Sequence, residues 1–253
     1  MKTLRLILLL IINVLFFNSC KVDNYDFPSE TLKGEFVDKL TKEPFQTSMG
    51  ATGIRIRMME YSWSDNPVPY DFYAKMDGTF YNNKIFAGEY GIIPTGAFVP
   101  LEEQRVKVNG ECSLHYEVEP FLRLEWIGEP IVNSDGTAEV QVKISRGTVN
   151  SEYQQPLAEV WLYVSETTYV GDFSYSPRFS THLTGYQVND ILDKVITIKT
   201  GQANGPGEGN PQEYFPTYSR KFFLRVGARI DTQVEGSNVY NYTTIKEIQT
   251  MDR

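Results

Sequence analysis

The chain has 253 residues, with 24 basic against 32 acidic side chains and a formal net charge of −8. A surface this acidic is repelled by phosphate backbones, which excludes nucleic acid as a partner. Aromatic residues make up 13% of the chain and 16 of them are tyrosines, the ring type that often sits where a protein binds something.

The first expected element is a signal peptide over residues 1–19. Lys2 and Arg5 precede an apolar run from Leu6 to Phe17. That run is shorter than the roughly 20 apolar residues of a spanning helix and suits the apolar region of a secretory leader. It ends in Phe17-Asn18-Ser19-Cys20, which resembles a bacterial lipobox, in which the cysteine is lipidated and becomes the mature N-terminus. An ordinary signal peptide cut nearby, or an N-terminal anchor, is the competing reading. Lipidation at Cys20 implies a tether over residues 20–30 and a membrane anchor, since acyl chains contribute about 0.8 kcal/mol per buried CH₂. It also leaves Cys112 without an internal disulfide partner, so the fold must rest on apolar burial. Asp23 and Asp26 resemble the acidic export signal of Bacteroidetes lipoproteins, which implies the outer membrane and its exterior face.

No long amphipathic helix is evident, and strand signals dominate from residue 31 onward. Ile54, Ile56 and Met58 alternate with Arg55, Arg57 and Met59, so one row can enter a core. This strand is expected to run on through Tyr61 and Trp63 until Pro67 and Pro69 stop pairing, with a new strand over Tyr70–Lys75. Alternation sets Tyr61 and Trp63 off the main core, to be covered by Tyr70–Tyr73 or by a second domain; a stacking platform for a ligand is the alternative. Asp77-Gly78, Asn109-Gly110 and Asp135-Gly136 each separate two strand-like runs and read as tight turns. The first strand with Gly34, the turn Thr41–Pro44, Asp77-Gly78-Thr79-Phe80 and Gly88-Glu89-Tyr90 resemble the carboxypeptidase regulatory-like family, a transthyretin-like β-sandwich. The resemblance covers about Leu32 to Pro94 and implies a structural or adhesive module, here bounded as a domain at residues 31–118.

Residues 119–253 carry strand candidates at Phe121–Trp126, Ala138–Ser145, Ala158–Ser165, Val195–Thr200, Arg220–Asp231 and Val239–Ile248, a spacing that suggests an immunoglobulin-like sandwich. The fold class expected is therefore all-β, in two β-sandwich domains. Val160, Leu162 and Val164 should face the core. By alternation Trp161 and Tyr163 then leave the core row beside Phe223, Arg225, Arg229, Tyr240 and Tyr242; burial of Trp161, or cover of this face by the first domain, is the preferred reading, and an open aromatic surface is the alternative. Two long connections, 166–191 and 201–219, are rich in aromatic residues, and long loops in compact domains are often functional. Tyr175, Arg178 and Phe179 in the first are candidate ligand contacts, with Trp161, Tyr163 and Trp63 elsewhere. Rings and polar side chains in one place suit a sugar, whose C–H face lies on a ring while its hydroxyls take hydrogen bonds.

Nearly the whole mature chain resembles a two-domain lipoprotein family of unknown function in Bacteroidetes, most specifically in CKVDNYDFPSETLKGEFVDKLTKEPFQ and GIRIRMMEYSWSDNPVPYDFYAKMDGTF. Genes of that family lie near SusC/SusD-type glycan-uptake systems. The resemblance implies a cell-surface role in polysaccharide or oligosaccharide capture, or docking to such a transport complex. The sequence shows no HExxH, GxSxG or Walker-type loop, and His115 and His182 stand outside any metal-ligand spacing. No enzyme activity and no cofactor or metal is expected.

Overall fold

The computed structural model describes residues 27–207 and 209–253. The expected signal peptide, Cys20 and the tether as far as residue 26 lie outside the described residues. The rest is all-β, in two sandwiches, and the described residues contain no α-helix.

The first sandwich is built from β1 (Glu30–Asp38), β2 (Arg55–Glu60), β3 (Pro69–Tyr73), β4 (Thr79–Ile85), β5 (Gly88–Thr95), β6 (Gln104–Val108) and β7 (Glu111–Val118). One sheet has the order β4-β1-β7 and the other β3-β2-β5-β6. The β1–β7 pair is parallel and the remaining pairs are antiparallel. Alternation works as expected in β2: Ile56 and Met58 are buried, as is Ile54 just before the strand, while Arg55 and Arg57 point away. Phe36 stacks on Tyr116 at 5.0 Å and lies against Phe80 and Phe98, so the centre is aromatic. Gly34 lets β1 approach its neighbours, because a Cβ there would run into the Phe80 ring and the Leu114 carbonyl. Gly78 turns at φ +77°, where a side chain would be strained and would meet the Phe45 carbonyl.

The second sandwich comprises β8 (Leu122–Trp126), β9 (Ile131–Val132), β10 (Ala138–Arg146), β11 (Leu157–Ser165), β12 (Thr181–Thr184), β13 (Val195–Lys199), β14 (Lys221–Ile230), β15 (Gln233–Val234), β16 (Ser237–Asn238), β17 (Asn241–Tyr242) and β18 (Lys246–Gln249). One sheet runs β13-β10-β8, with β9 also on β10. The other runs β12-β11-β14-β17, with β18 also on β14. The rows Val140-Val142-Ile144, Val160-Leu162-Val164 and Phe222-Leu224-Val226 are all buried between them. Each such side chain stabilises by about 1.5–3 kcal/mol, which holds the register.

Two expectations need correction, and one pair of alternatives is decided. β2 ends at Glu60, although Tyr61 N–H still donates to the Glu89 carbonyl at 2.8 Å; the chain leaves the sheet before Trp63, which is 76% exposed. The expected last strand is split into β17 and β18. Tyr242 pairs with Gly227 and Lys246 with Leu224, so three residues on one strand face two on the other, a β-bulge at Thr243–Ile245. For the outward row, the reading in which the first domain covers the face holds: Tyr163 and Arg225 leave the main core, but Tyr163 is 1% exposed and Arg225 is fully buried. A second, smaller core of Tyr163, Val170, Tyr240 and Tyr242 forms on that side of the sheet.

Cover for this second core comes from both sandwiches, and Arg225 joins them. Its Nε donates to the Thr243 carbonyl in the bulge at 3.0 Å. Nη1 donates to the Thr47 carbonyl of the first sandwich at 3.0 Å and to Val170 O at 3.4 Å. Nη2 reaches Met76 O at 3.3 Å, again in the first sandwich, and the guanidinium lies 4.3 Å from the Tyr242 ring centre. Burial pulls the Arg225 pKa down to about 10, so it remains charged at neutral pH. Asn241 adds a second link: its side chain accepts from Leu122 N–H at 3.0 Å and donates to Ala97 O at 2.9 Å.

Arg225→Met is expected to lower stability by roughly 3–5 kcal/mol, because it strands several buried carbonyls from both sandwiches. Arg225→Lys should recover only part of this, since one ammonium cannot reproduce the planar fork of donors. Urea denaturation of the three proteins checks both statements.

Candidate functional site

The outward rows of β11, β12 and β14 bring together several of the residues singled out in the sequence. Trp161 lies parallel to His182, paired with it across the strands, at 4.0 Å and 9°. It is also parallel to Tyr163 at 5.4 Å, and Tyr175 tilts against both rings. Glu159 ties the group together: its carboxylate accepts from Arg229 Nε at 2.5 Å, Tyr240 OH at 2.6 Å, His182 Nε2 at 2.6 Å and Trp161 Nε1 at 3.2 Å. Burial pushes the Glu159 carboxyl up, but the hydrogen bonds from His182, Tyr240 and Arg229 outweigh it and hold the carboxyl well below its usual range. Three rings already pack on Trp161, and four donors already occupy Glu159. This is an arrangement that holds the face together and offers a sugar little ring surface.

The other candidates scatter. Phe179 belongs to the main core, against Phe215 at 5.1 Å and Phe222 at 5.3 Å. Arg178 beside it is exposed and ion-paired with Glu213 at 3.0 Å. Tyr163, buried as described, has no surface to present. Trp63 stands on the far end of the first sandwich, its Nε1 donating to Glu60 at 2.9 Å.

Between the two sandwiches lies a cleft of about 630 Å³, within the usual range for ligand sites and at the domain junction where they are often found. One wall is the connection after β1. The Asp38 carboxylate accepts from the backbone N–H of Leu40 at 2.7 Å and Thr41 at 3.3 Å, Lys42 turns at φ +64°, and Phe45 N–H returns to the Phe36 carbonyl at 2.9 Å. This places Thr41 and Glu43 on the rim. The other wall is β8 with the bulge: Trp126 is half-buried, its Nε1 donating to Thr244 O at 2.9 Å, with Glu125 exposed beside it. Across the floor Arg123 grips Asp38 through two bonds of 2.6 and 2.9 Å. Burial raises the Asp38 carboxyl, but the Arg123 and backbone bonds outweigh it, so the net shift is downward. The cleft thus combines an indole with carboxylates and hydroxyls around a rigid ion pair. Among the described residues, no group of His, Cys, Asp and Glu is placed to hold a metal ion.

Sequence reasoning missed Trp126 as a site residue. It shares its strand row with Leu122 and Leu124, and this reads as core; it does pack partly on the core, yet its strand is at the sheet edge. A tryptophan ending an inward row just after the domain boundary was the available signal.

Residues 30–119 match the family described as protein of unknown function (DUF3823) N-terminal domain. Both sandwiches together are similar to the crystal structure of a DUF3823 family protein from Bacteroides uniformis, with a TM-score of 0.75, 29% identity, and 89% of this chain and 100% of that one covered. A second Bacteroides uniformis structure, described as a "putative carbohydrate binding protein", shares the fold at TM-score 0.67 and 20% identity, covering 88% of this chain and 99% of that one. A DUF3823 family protein from Bacteroides ovatus shares it at TM-score 0.62 and 15% identity, over 89% and 100%. No curated protein matches the chain.

The lowered carboxyls set a pH dependence. The stability contributed by Asp38 and Glu159 is fully present above their unfolded pKa values, near 4, and is lost as pH falls through their lower folded values. The melting temperature should therefore drop steeply below about pH 4. Asp38→Asn should melt lower at pH 7 and lose less on acidification, which scanning calorimetry across pH would show.

Proposed function

We propose that this protein is a non-catalytic glycan-binding lipoprotein of the cell surface, accessory to polysaccharide capture and uptake. In this reading Cys20 carries the lipid, the outer membrane holds the anchor, and the two sandwiches face the exterior. The observation that carries the binding reading is the interdomain cleft, with Trp126 on one wall and Glu43 on the rim of the other. An indole offers a flat electron-rich face to the C–H groups of a pyranose, and carboxylates and hydroxyls around it take the sugar's own hydroxyls. Because Arg225 and Asn241 lock the two walls together, the cleft needs little reordering on binding, which favours affinity. The similar fold of a carbohydrate-binding-named Bacteroides uniformis protein supports the same class of ligand. In this reading the Asp38–Arg123 pair shapes the floor of the cleft, and no residue is assigned a catalytic role.

A second reading is an interaction module that docks to a SusC/SusD-type transport complex without binding ligand. It is favoured by Tyr169 between β11 and β12, Tyr186 between β12 and β13, and Tyr214 and Tyr218 between β13 and β14, all exposed; the expected connection 166–191 is thus interrupted by β12. Tyrosine is enriched in protein interfaces.

Titration against a panel of soluble polysaccharides separates the two. Trp126→Ala should weaken the retained glycan at least about tenfold, or about 1.4 kcal/mol. Glu43→Gln on the exposed rim should weaken it severalfold at an unchanged melting temperature. Trp161→Ala should lower the melting temperature and leave affinity nearly intact at temperatures where it is folded. No new reducing ends should appear. Absence of binding across the panel, with co-purification of an outer-membrane transporter, would establish the second reading instead.

Cys20→Ala should abolish membrane retention and leave an unlipidated form. Unchanged fractionation and an unchanged N-terminal mass would refute the anchor.

A further inference from the structure

The end of the first sandwich where the chain enters carries a cluster of exposed apolar side chains that neither core uses. β1 starts there, with Glu30 opposite Ile85 at the end of β4 and Thr31 N–H bonded to the Gly110 carbonyl at 3.0 Å. The Phe86-Ala87 turn joins β4 to β5 at this end, and Phe86 is 48% exposed. The Tyr61–Trp63 segment runs off β2 at the same end. Ser62 Oγ accepts from Glu89 N–H at 2.8 Å, and Trp63 is held through Glu60, whose carboxylate lies against Gly88. Val68, 87% exposed, precedes the Pro69–Met59 pair on the strand alongside. Phe27, 92% exposed, completes the group three residues ahead of β1. The second sandwich sits at the opposite end, where β1 finishes at Asp38 against Arg123.

The geometry points to this end as a foot that seats on the lipid surface, with Trp63 and Phe86 in the headgroup region. The inference rests on the lipid anchor at Cys20 proposed above. Phe27 lies seven residue steps after Cys20, and even a fully extended chain spans only about 25 Å over that stretch. An anchor so short brings this end, and not the cleft, to the bilayer. Trp63 suits the interface: its ring is exposed while its indole N–H is bonded to a carboxylate that can stay in the headgroup layer. Tryptophan and tyrosine are enriched at that depth because one part of the ring is apolar and the other polar. The consequence is an upright protein with its interdomain cleft held away from the membrane and open to polymer outside.

The test uses the full-length lipidated protein reconstituted into vesicles of phosphatidylethanolamine and phosphatidylglycerol with bromine on the acyl chains near the headgroup. Wild-type emission should be quenched by up to about a third, the share of one tryptophan in three, and Trp63→Phe should abolish the quenching. Intact mass is read on the same sample. An unacylated Cys20 overturns the anchor and the foot together, whereas an acylated protein with no bromine quenching overturns the foot alone. A Trp63→Ser/Phe86→Ser variant should melt as the wild type does and bind polysaccharide unchanged. Loss of polysaccharide binding in that variant, with melting preserved, would make the patch a sugar platform and overturn the proposal. Cleft binding is read independently through Trp126→Ala, so failure of the foot and failure of the glycan reading give different results.

Discussion

A buried guanidinium must find hydrogen-bond acceptors, and Arg225 finds them in four separate segments of the chain. The Thr243 carbonyl reaches it only because the β17–β18 edge carries one extra residue opposite β14. The Val170 carbonyl reaches it because the connection after β11 folds back over the sheet. Thr47 and Met76 reach it from the other sandwich. Leaving any of these bonds unmade in a dry interior costs about 1–3 kcal/mol, so the bulge, the loop and the domain junction are coupled through one side chain. Desolvation alone would make Arg225 a liability, and only this complete set of partners makes its burial tolerable.

The coupling extends to the cleft. Asn241 sits on the strand just before the bulge and bonds to both the Leu122 backbone and the Ala97 carbonyl. Asp38 and Arg123 then close the floor. The walls bearing Glu43 and Trp126 therefore belong to one rigid junction, although they come from different sandwiches. Rigid polar groups around a ring are what a weakly hydrophobic ligand such as a sugar requires, because such a ligand has little burial energy to spend on ordering its site.

The two tryptophans of the second sandwich show how similar residues take different roles. Trp161 stands in the middle of a sheet face with ring neighbours and a carboxylate partner, so its surface is consumed internally. Trp126 stands at an edge strand, with its indole N–H anchored to Thr244 and Lys246 Nζ 5.6 Å from its ring. The Glu159 network around Trp161 makes the outward face a second core rather than a binding face. Its polar groups answer one another inside the sheet instead of answering a ligand.

Much of the architecture was legible in the residues. The Ile54-Ile56-Met58 row, the buried rows of β10, β11 and β14, and the glycines at Gly78, Gly110 and Gly136 with positive φ all follow from local rules. Strand alternation and turn stereochemistry act over a few residues, so they can be read from a few residues. The sequence alone thereby determined an all-β chain in two sandwiches and the rows that form each main core. What covers an outward row depends on segments far away in the chain. Alternation placed Tyr163 and Arg225 off the main core correctly, but only the packing of Thr47 and Val170 over them made them buried. The same limit hid the cleft, whose Glu43 and Trp126 are brought to facing walls by a domain junction. Tertiary structure alone decided which aromatic rings stay bare, because exposure belongs to the assembled surface and not to any one strand.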